Sequence, residues 1–106
     1  HTHHGTTNAV VMQEVMRFNR SEIEDRFVSA ARYLDIEGGF DGFYDFVGGL
    51  VTHLNIPKNL TDLGLRDLGN ADFDRIVAAA LNDPSAGGNP RALTAKNTRA
   101  LLEACF

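Results

Sequence analysis

The chain has 106 residues, 43% of them hydrophobic and 23% charged, and its formal net charge is -4 at pH 7. This composition is typical of one globular domain with an ordinary core, and the acidic balance argues against nucleic acid and anionic membranes as partners. The one cysteine, Cys105, excludes an internal disulfide and has the spacing of a packed residue. Since no signal peptide or apolar run of membrane-spanning length is found, we expect a cytoplasmic protein.

The first two predicted helices lie close together in the sequence. Seven of the eleven residues from 8 to 18 are apolar, which predicts a helix buried on most sides. Either the rest of the bundle or a missing domain could cover it, and we expect the chain to self-associate through this helix. Residues 21–34 repeat apolar side chains at helical spacing, and Ser21 with Glu24 has the pattern of a capping box.

A third helix is predicted within residues 43–54, after a break at Gly38-Gly39. Asp41 is its expected cap, and Ile56-Pro57 ends it because the residue before proline avoids the helical region. Gly48-Gly49 lies inside this helix. The interpretation we favour is a close approach between helices; the alternative is room for a cofactor or a neighbouring domain.

The last two predicted helices flank a loop. Residues 73–81 carry an apolar stripe with Asn70 or Asp72 as the expected cap, residues 83–90 are rich in Gly, Ser and Asn, and Thr94 is placed to cap the terminal helix. No segment shows the alternation of a half-buried strand. The sequence therefore predicts an all-α fold, a helical bundle with about five main helices.

His4 is the residue with the clearest chemical potential. Neutral imidazole is a common metal ligand, but a catalytic metal needs about three protein ligands. His3 and His4 are adjacent and do not face one way, whereas His1 and His4 could share an ion only if the helix began early. His53 is more simply explained as a structural histidine. From the residues alone, His4 is either a helix-entry residue or one ligand of a set completed elsewhere.

Three separated segments carry a family resemblance. They resemble the C-terminal domain of the iron-containing (group III) alcohol dehydrogenases, which have a dehydroquinate synthase-like fold, and their order and spacing match across the whole chain. The segments are His4-Gly5-Thr6-Thr7-Asn8-Ala9 with Met16-Arg17-Phe18-Asn19, then Leu54-Asn55-Ile56-Pro57 with Leu60 and Leu63-Gly64, and last Asn82-Asp83 with Gly88-Asn89-Pro90-Arg91.

The resemblance implies a two-domain enzyme. In the family, an N-terminal α/β domain binds NAD or NADP, and a helical domain holds iron(II), or sometimes zinc, with one aspartate and three histidines. His4 matches the last of those histidines, while the other ligands and the dinucleotide segment have no counterpart in residues 1–106. We therefore expect one incomplete helical domain, residues 1–106, lacking the nucleotide domain and the first helices of the metal-binding domain. Alone it is expected to hold no metal tightly.

The implied activity is hydride transfer between NAD or NADP and a small alcohol or aldehyde, with the isolated chain inactive and the whole enzyme expected to be a homo-oligomer. By resemblance, Ser85 and Asn89 border the substrate pocket; the equal alternative is that Asn89-Pro90-Arg91 is only a helix-entry turn. Two other functions stay open. One is a non-catalytic helical interaction module. The other is an enzyme similar to maleylacetate reductases, and by the resemblance the His4-Gly5 pair argues against it.

Overall fold

The computed structural model describes residues 3–106, and within that range every regular element is helical. The predicted all-α fold class is confirmed. The elements in chain order are α1 (His4–Tyr33), α2 (Gly39–His53), α3 (Leu60–Leu63), α4 (Asn70–Asn82), a 3₁₀ helix (Pro84–Gly88) and α5 (Ala95–Ala104).

Helix α1 is the long axis of the molecule. Its 30 residues correspond to a rod of about 45 Å, which matches the longest dimension of 44 Å. The prediction of two separate helices here is wrong, because Ser21 lies inside α1 and the N-cap position belongs to His3. No glycine or proline lies between Thr6 and Tyr33, so a capping-box pattern alone did not end the helix.

Helix α2 folds back along α1 after a tight turn. Gly38 occupies its N-cap position with φ at 97°, a left-handed conformation that glycine adopts without strain. The prediction of Asp41 as the cap is therefore wrong. Asp41 lies in the first turn of α2 instead, where Arg20 of α1 donates to it at 2.9 Å.

Two apolar clusters hold the bundle together. The first joins α1 and α2 through Met16, Phe40 and Val47, with the Phe27 ring stacked 5.5 Å from that of Phe40. The second brings α1, α3 and the end of α5 together. Its buried members are Val10, Leu60 and Cys105.

Helix caps show where local sequence rules apply. Thr94 caps α5 as predicted, since its side chain accepts from the Asn97 N–H. Gly69 rather than Asn70 or Asp72 occupies the N-cap of α4, so that prediction is wrong. Asp72 still contributes, because its carboxylate accepts from the Gly69 N–H at 2.9 Å. That hydrogen bond lowers the pKa of Asp72, and the hydrogen bond from Arg75 lowers it further by a smaller amount.

The glycine pair in α2 has two different environments. A Cβ atom at Gly48 would lie 2.7 Å from Nε2 of Gln13, whereas one at Gly49 would meet nothing within 4 Å. Helices α1 and α2 thus approach closely at Gly48, although the atom met is the end of the flexible Gln13 side chain, and Gly49 has no steric reason. None of the helices described between residues 3 and 106 is long and apolar enough to cross a membrane.

Candidate functional site

His4 is the first residue of α1, and its side chain is exposed. One ring nitrogen, Nε2, lies 3.1 Å from Nδ2 of Asn8, which is one helical turn further on. Which group donates depends on the tautomer of the ring and on the orientation of the amide. An exposed imidazole in this position is open to a metal ion.

As a metal ligand, His4 is a single donor. Imidazole nitrogen suits both iron and zinc, so the residue fits the metal that the resemblance implies. In the described part of the chain, however, no three His, Cys, Asp or Glu side chains are grouped closely enough to hold an ion. His1 lies outside the described residues. His4 can therefore supply one metal ligand, but residues 3–106 do not form a complete metal site around it.

A second polar cluster lies further along α1, around Asn19. This side chain is only 5% exposed, and its amide pairs reciprocally with that of Asn89, which precedes α5. Asn19 Nδ2 donates to Asn89 Oδ1 at 3.0 Å, and Asn89 Nδ2 donates to Asn19 Oδ1 at 2.8 Å. We call Asn19, Asn89 and Arg91 the amide lock.

Arg91 completes the amide lock. Its backbone N–H donates to Asn19 Oδ1 at 3.4 Å, and its carbonyl accepts from Asn89 Nδ2 at 2.6 Å. Its guanidinium lies 4.2 Å from the centre of the Phe18 ring and donates to the Phe18 carbonyl at 3.3 Å. Two of the three sequence segments that carry the family resemblance are thus in direct contact. The sequence contained both segments but no signal that they meet.

Ser85 lies in the 3₁₀ helix and is exposed. Its backbone N–H donates to Asp83 Oδ1 at 2.8 Å, and its hydroxyl donates to the same oxygen. The hydroxyl, and then the N–H, lowers the pKa of Asp83 by stabilising the carboxylate. A cavity of about 390 Å³ beside this loop is lined by Asn89, and Ser85 is not among its lining residues.

The predicted metal ligand is the first residue of α1, whereas Asn89, in the loop before α5, contacts α1 further along. Asn89 contacts Asn19, which is fifteen residues after His4. At the rise of an α-helix this is about 22 Å. These residues therefore share no site within one copy of residues 3–106. The assignment of Ser85 and Asn89 to a substrate pocket stays a prediction.

Cys105 is buried, and its thiol is in contact with the Leu101 carbonyl at 3.3 Å. Burial, and to a lesser degree the charge of Glu14, raises the pKa of this thiol to about 11. The thiolate needed for nucleophilic chemistry is therefore scarce near neutral pH. The prediction that Cys105 is a packed residue is confirmed.

Comparison with known proteins places the chain in a family. All of residues 1–106 match the Fe-containing alcohol dehydrogenase family, C-terminal. Similar curated proteins include 4-hydroxybutyrate dehydrogenase of Cupriavidus necator, 33% identical over 105 residues that cover 95% of this chain and 26% of that protein. Lactaldehyde reductase of Escherichia coli strain K12 is 31% identical over 88% of this chain and 25% of its own length.

Maleylacetate reductase 1 of Rhodococcus opacus is also similar, at 31% identity over 97% of this chain and 26% of that protein. The chain spans about a quarter of the length of these relatives. The match over every residue confirms the resemblance that the three sequence segments predict. The chain belongs to the iron-containing alcohol dehydrogenase family and corresponds to its C-terminal part.

Proposed function

We propose that the protein containing this chain is a metal-dependent oxidoreductase. It transfers hydride between NAD or NADP and a small alcohol or aldehyde. The observation that carries the proposal is the family match over all 106 residues, which includes His4. The names of two relatives, 4-hydroxybutyrate dehydrogenase and lactaldehyde reductase, support the substrate class.

In this proposal His4 is one ligand of iron(II) or zinc. The other ligands and the NAD or NADP site would lie in the part of the relatives' length that this chain does not span. A bound divalent ion acts as a Lewis acid on the substrate oxygen. His4 would bind the ion through a ring nitrogen of its neutral imidazole, since a protonated imidazole cannot ligate.

Ser85 and Asn89 are proposed to border the substrate pocket. The amide lock supports this role indirectly, because it fixes the loop that carries both residues against α1, the helix that begins at His4. Asn19, which binds Asn89, lies about 22 Å along α1 from His4, and this exceeds the length of a small alcohol. Ser85 and Asn89 would therefore border the entrance of the pocket rather than contact a substrate bound at the metal. Variants of Ser85 are then expected to alter KM for the alcohol and to leave the metal content unchanged.

A second candidate function is a reductase similar to the maleylacetate reductases. The 31% identity to maleylacetate reductase 1 supports it, because it equals the identity to lactaldehyde reductase. A non-catalytic helical module is the remaining alternative for the isolated chain. We propose that the 106-residue chain alone is inactive and holds no metal tightly, since only one ligand of the set would be present.

The experiment that tests the proposal replaces His4 in the full-length protein. We expect His4→Ala to deplete the bound metal and abolish turnover, with nucleotide binding largely unchanged. His53→Ala is the matched control, because it removes another exposed histidine, at the end of α2. Normal metal content and turnover in His4→Ala would overturn the proposal.

Self-association is proposed as well, although the structure suggests a different surface for it. In the predicted first helix, Met12 is the only large apolar side chain that is exposed in the described structure. Three exposed apolar residues instead follow one another at four-residue spacing on the outer side of α2 and just past its end, namely Phe46, Leu50 and Leu54. Sedimentation velocity at rising concentration tests this, and a Phe46→Glu variant should weaken any association.

A further inference from the structure

We infer that Asn19 is a positioning residue for the loop of residues 83–90, and that Asn89 acts by holding this loop rather than by touching the substrate. The inference rests on the proposed function, in which Ser85 and Asn89 border the entrance of the substrate pocket. The observation behind it is the amide lock, in which a side chain of α1 that is only 5% exposed pairs with Asn89.

Packing holds this loop only weakly. A cavity of about 390 Å³ lies against it and is lined in part by Ala86, Gly87 and Asn89. Residues 83–85 and 87–88 are exposed. A Cβ atom at Gly87 or Gly88 would meet nothing within 4 Å. With space around it, the loop depends on specific polar contacts for its position.

The hydrogen bonds that join this part of the chain to α1 are concentrated at Asn19. Its amide exchanges two bonds with Asn89, and its oxygen also accepts from the Arg91 N–H at 3.4 Å. The Arg91 guanidinium adds a bond to the Phe18 carbonyl, next to Asn19 in the chain. The loop is therefore fastened to α1 at its C-terminal end, at one point of the helix.

The amide group of Asn89 is occupied by this arrangement. Its Nδ2 has two hydrogens, and it donates to Asn19 Oδ1 at 2.8 Å and to the Arg91 carbonyl at 2.6 Å. The Arg91 N–H and carbonyl also fix which end of each amide is oxygen and which is nitrogen, since the N–H needs an acceptor and the carbonyl needs a donor. A substrate oxygen could accept from Asn89 only by breaking the amide lock.

Without the amide lock, the loop would occupy its binding position for only a fraction of the time. The apparent affinity for a ligand falls in proportion to that fraction. Since a hydrogen bond adds only modestly to stability, we expect the KM for the alcohol to rise about 5- to 10-fold in Asn19→Ala. The kcat should stay within about 2-fold of the wild type, because a substrate that is already bound no longer depends on the entrance.

The test compares Asn19→Ala, Asn89→Ala and the double variant in the full-length protein. The substrate is whichever of ethanol, butan-1-ol and 1,3-propanediol the wild type oxidises fastest with NAD or NADP. Both single variants break the same pair, so the double variant should raise KM no more than the larger single effect. If Asn89 instead touched the substrate, Asn89→Ala would raise KM more than Asn19→Ala and the two effects would multiply, which would overturn the inference.

Gln13→Ala is the matched control. Gln13 is another amide of α1, but it donates to the Tyr44 carbonyl of α2 rather than to the loop, so its KM should equal that of the wild type. A KM in Asn19→Ala no higher than in Gln13→Ala would overturn the inference. It would show that a loss of helix packing, and not the loop, is all that Asn19→Ala causes.

A second readout does not depend on activity. Hydrogen exchange of the full-length protein, followed by mass spectrometry, reports the protection of backbone amides in residues 84–91. We expect faster exchange there in Asn19→Ala, no change there in Gln13→Ala, and no change in the α2 peptides of Asn19→Ala. Unchanged exchange of residues 84–91 in Asn19→Ala would overturn the inference.

The outcomes separate this inference from the proposed function. If the wild type oxidises none of the three alcohols and His4→Ala keeps its metal, the proposed function fails, whatever the exchange of the loop shows. If the wild type is active and His4→Ala loses metal and turnover, while Asn19→Ala keeps the wild-type KM, only the role of Asn19 fails.

Discussion

Two parts of α1 carry the family resemblance, one at its start and one in its middle, and their side chains have opposite environments. At His4 and Asn8 the side chains are exposed, and their hydrogen bond spans four residues. At Asn19 the side chain is buried, and its hydrogen bonds reach a residue seventy positions away. The same helix therefore has an exposed imidazole at its start and a buried side chain in its middle that hydrogen-bonds to a distant part of the chain. Sequence motifs of one family can thus lie in an exposed helix start in one place and in a buried tertiary contact in another.

The largest effect on stability is expected from replacing the buried residue, Asn19. Asn19→Ala would leave the Asn89 side-chain oxygen without its donor and the Arg91 N–H without its acceptor, while Asn89 Nδ2 would still donate to the Arg91 carbonyl. Since Asn89 is half-buried and Arg91 is exposed, each loss lies at the low end of the cost of about 1–3 kcal/mol for an unpaired buried group, and we expect a loss of about 2 kcal/mol in the free energy of unfolding. Urea denaturation of the 106-residue chain measures this loss.

Gln13→Ala is the control for that experiment. Gln13 is also an α1 amide that donates across the bundle, to the Tyr44 carbonyl at 3.3 Å, but it makes a single half-buried bond. Its loss should cost about 1 kcal/mol. If Asn19→Ala costs no more than Gln13→Ala, the amide lock is not an anchor and the contrast within α1 disappears.

Cys105 offers a probe of the half of α1 that begins at His4, because it packs in one cluster with Val10. With its pKa raised to about 11, the thiol stays protonated near pH 8, and its thiolate population is about 100-fold below that of an ordinary cysteine. Native protein should therefore react slowly with a thiol reagent, and unfolding should restore the rate. We expect Asn19→Ala to accelerate labelling and Asn8→Ala to leave it unchanged. Rapid labelling of the native wild type would contradict this.

Arg91 separates the contribution of its ring contact from that of the amide pair. Arg91→Ala removes the guanidinium from the Phe18 ring and carbonyl but keeps the backbone bonds of the lock. The residue is exposed, so we expect a loss of about 1 kcal/mol in the free energy of unfolding. Arg91→Lys should recover part of it, and a cost equal to that of Asn19→Ala would show that the guanidinium rather than the amides holds the loop.

Local signals in the sequence predicted what depends on neighbours in the chain. The all-α class and the cap at Thr94 follow from spacing and from residue type, whereas the segment predicted as a loop, residues 83–90, contains the 3₁₀ helix Pro84–Gly88. The continuity of α1 through Ser21 could not be predicted, because a capping pattern is equally compatible with a helix interior. The amide lock was invisible for a different reason, since pairing between distant residues leaves no periodic signature.

The loop before α5 has a local bond whose effect is seen in titration. The Ser85 hydroxyl and N–H lower the pKa of Asp83, so the carboxylate form is favoured by folding. Its contribution to stability is present above the ordinary carboxyl pKa, about 4, and is lost as the pH falls through the lower folded value. Ser85→Ala should raise the pKa of Asp83 toward the ordinary value, as measured by NMR titration. An unchanged pKa would show that the hydroxyl is not its cause.

The smallest effect on stability is expected from replacing the exposed residue, Asn8. Asn8→Ala removes one solvent-exposed hydrogen bond, which contributes little, and replaces asparagine by the best helix former. The free energy of unfolding should therefore stay within about 0.5 kcal/mol of the wild type, or rise slightly. A loss of about 2 kcal/mol or more would mean that the His4–Asn8 pair holds the start of α1 in place, as Asn19 holds its middle.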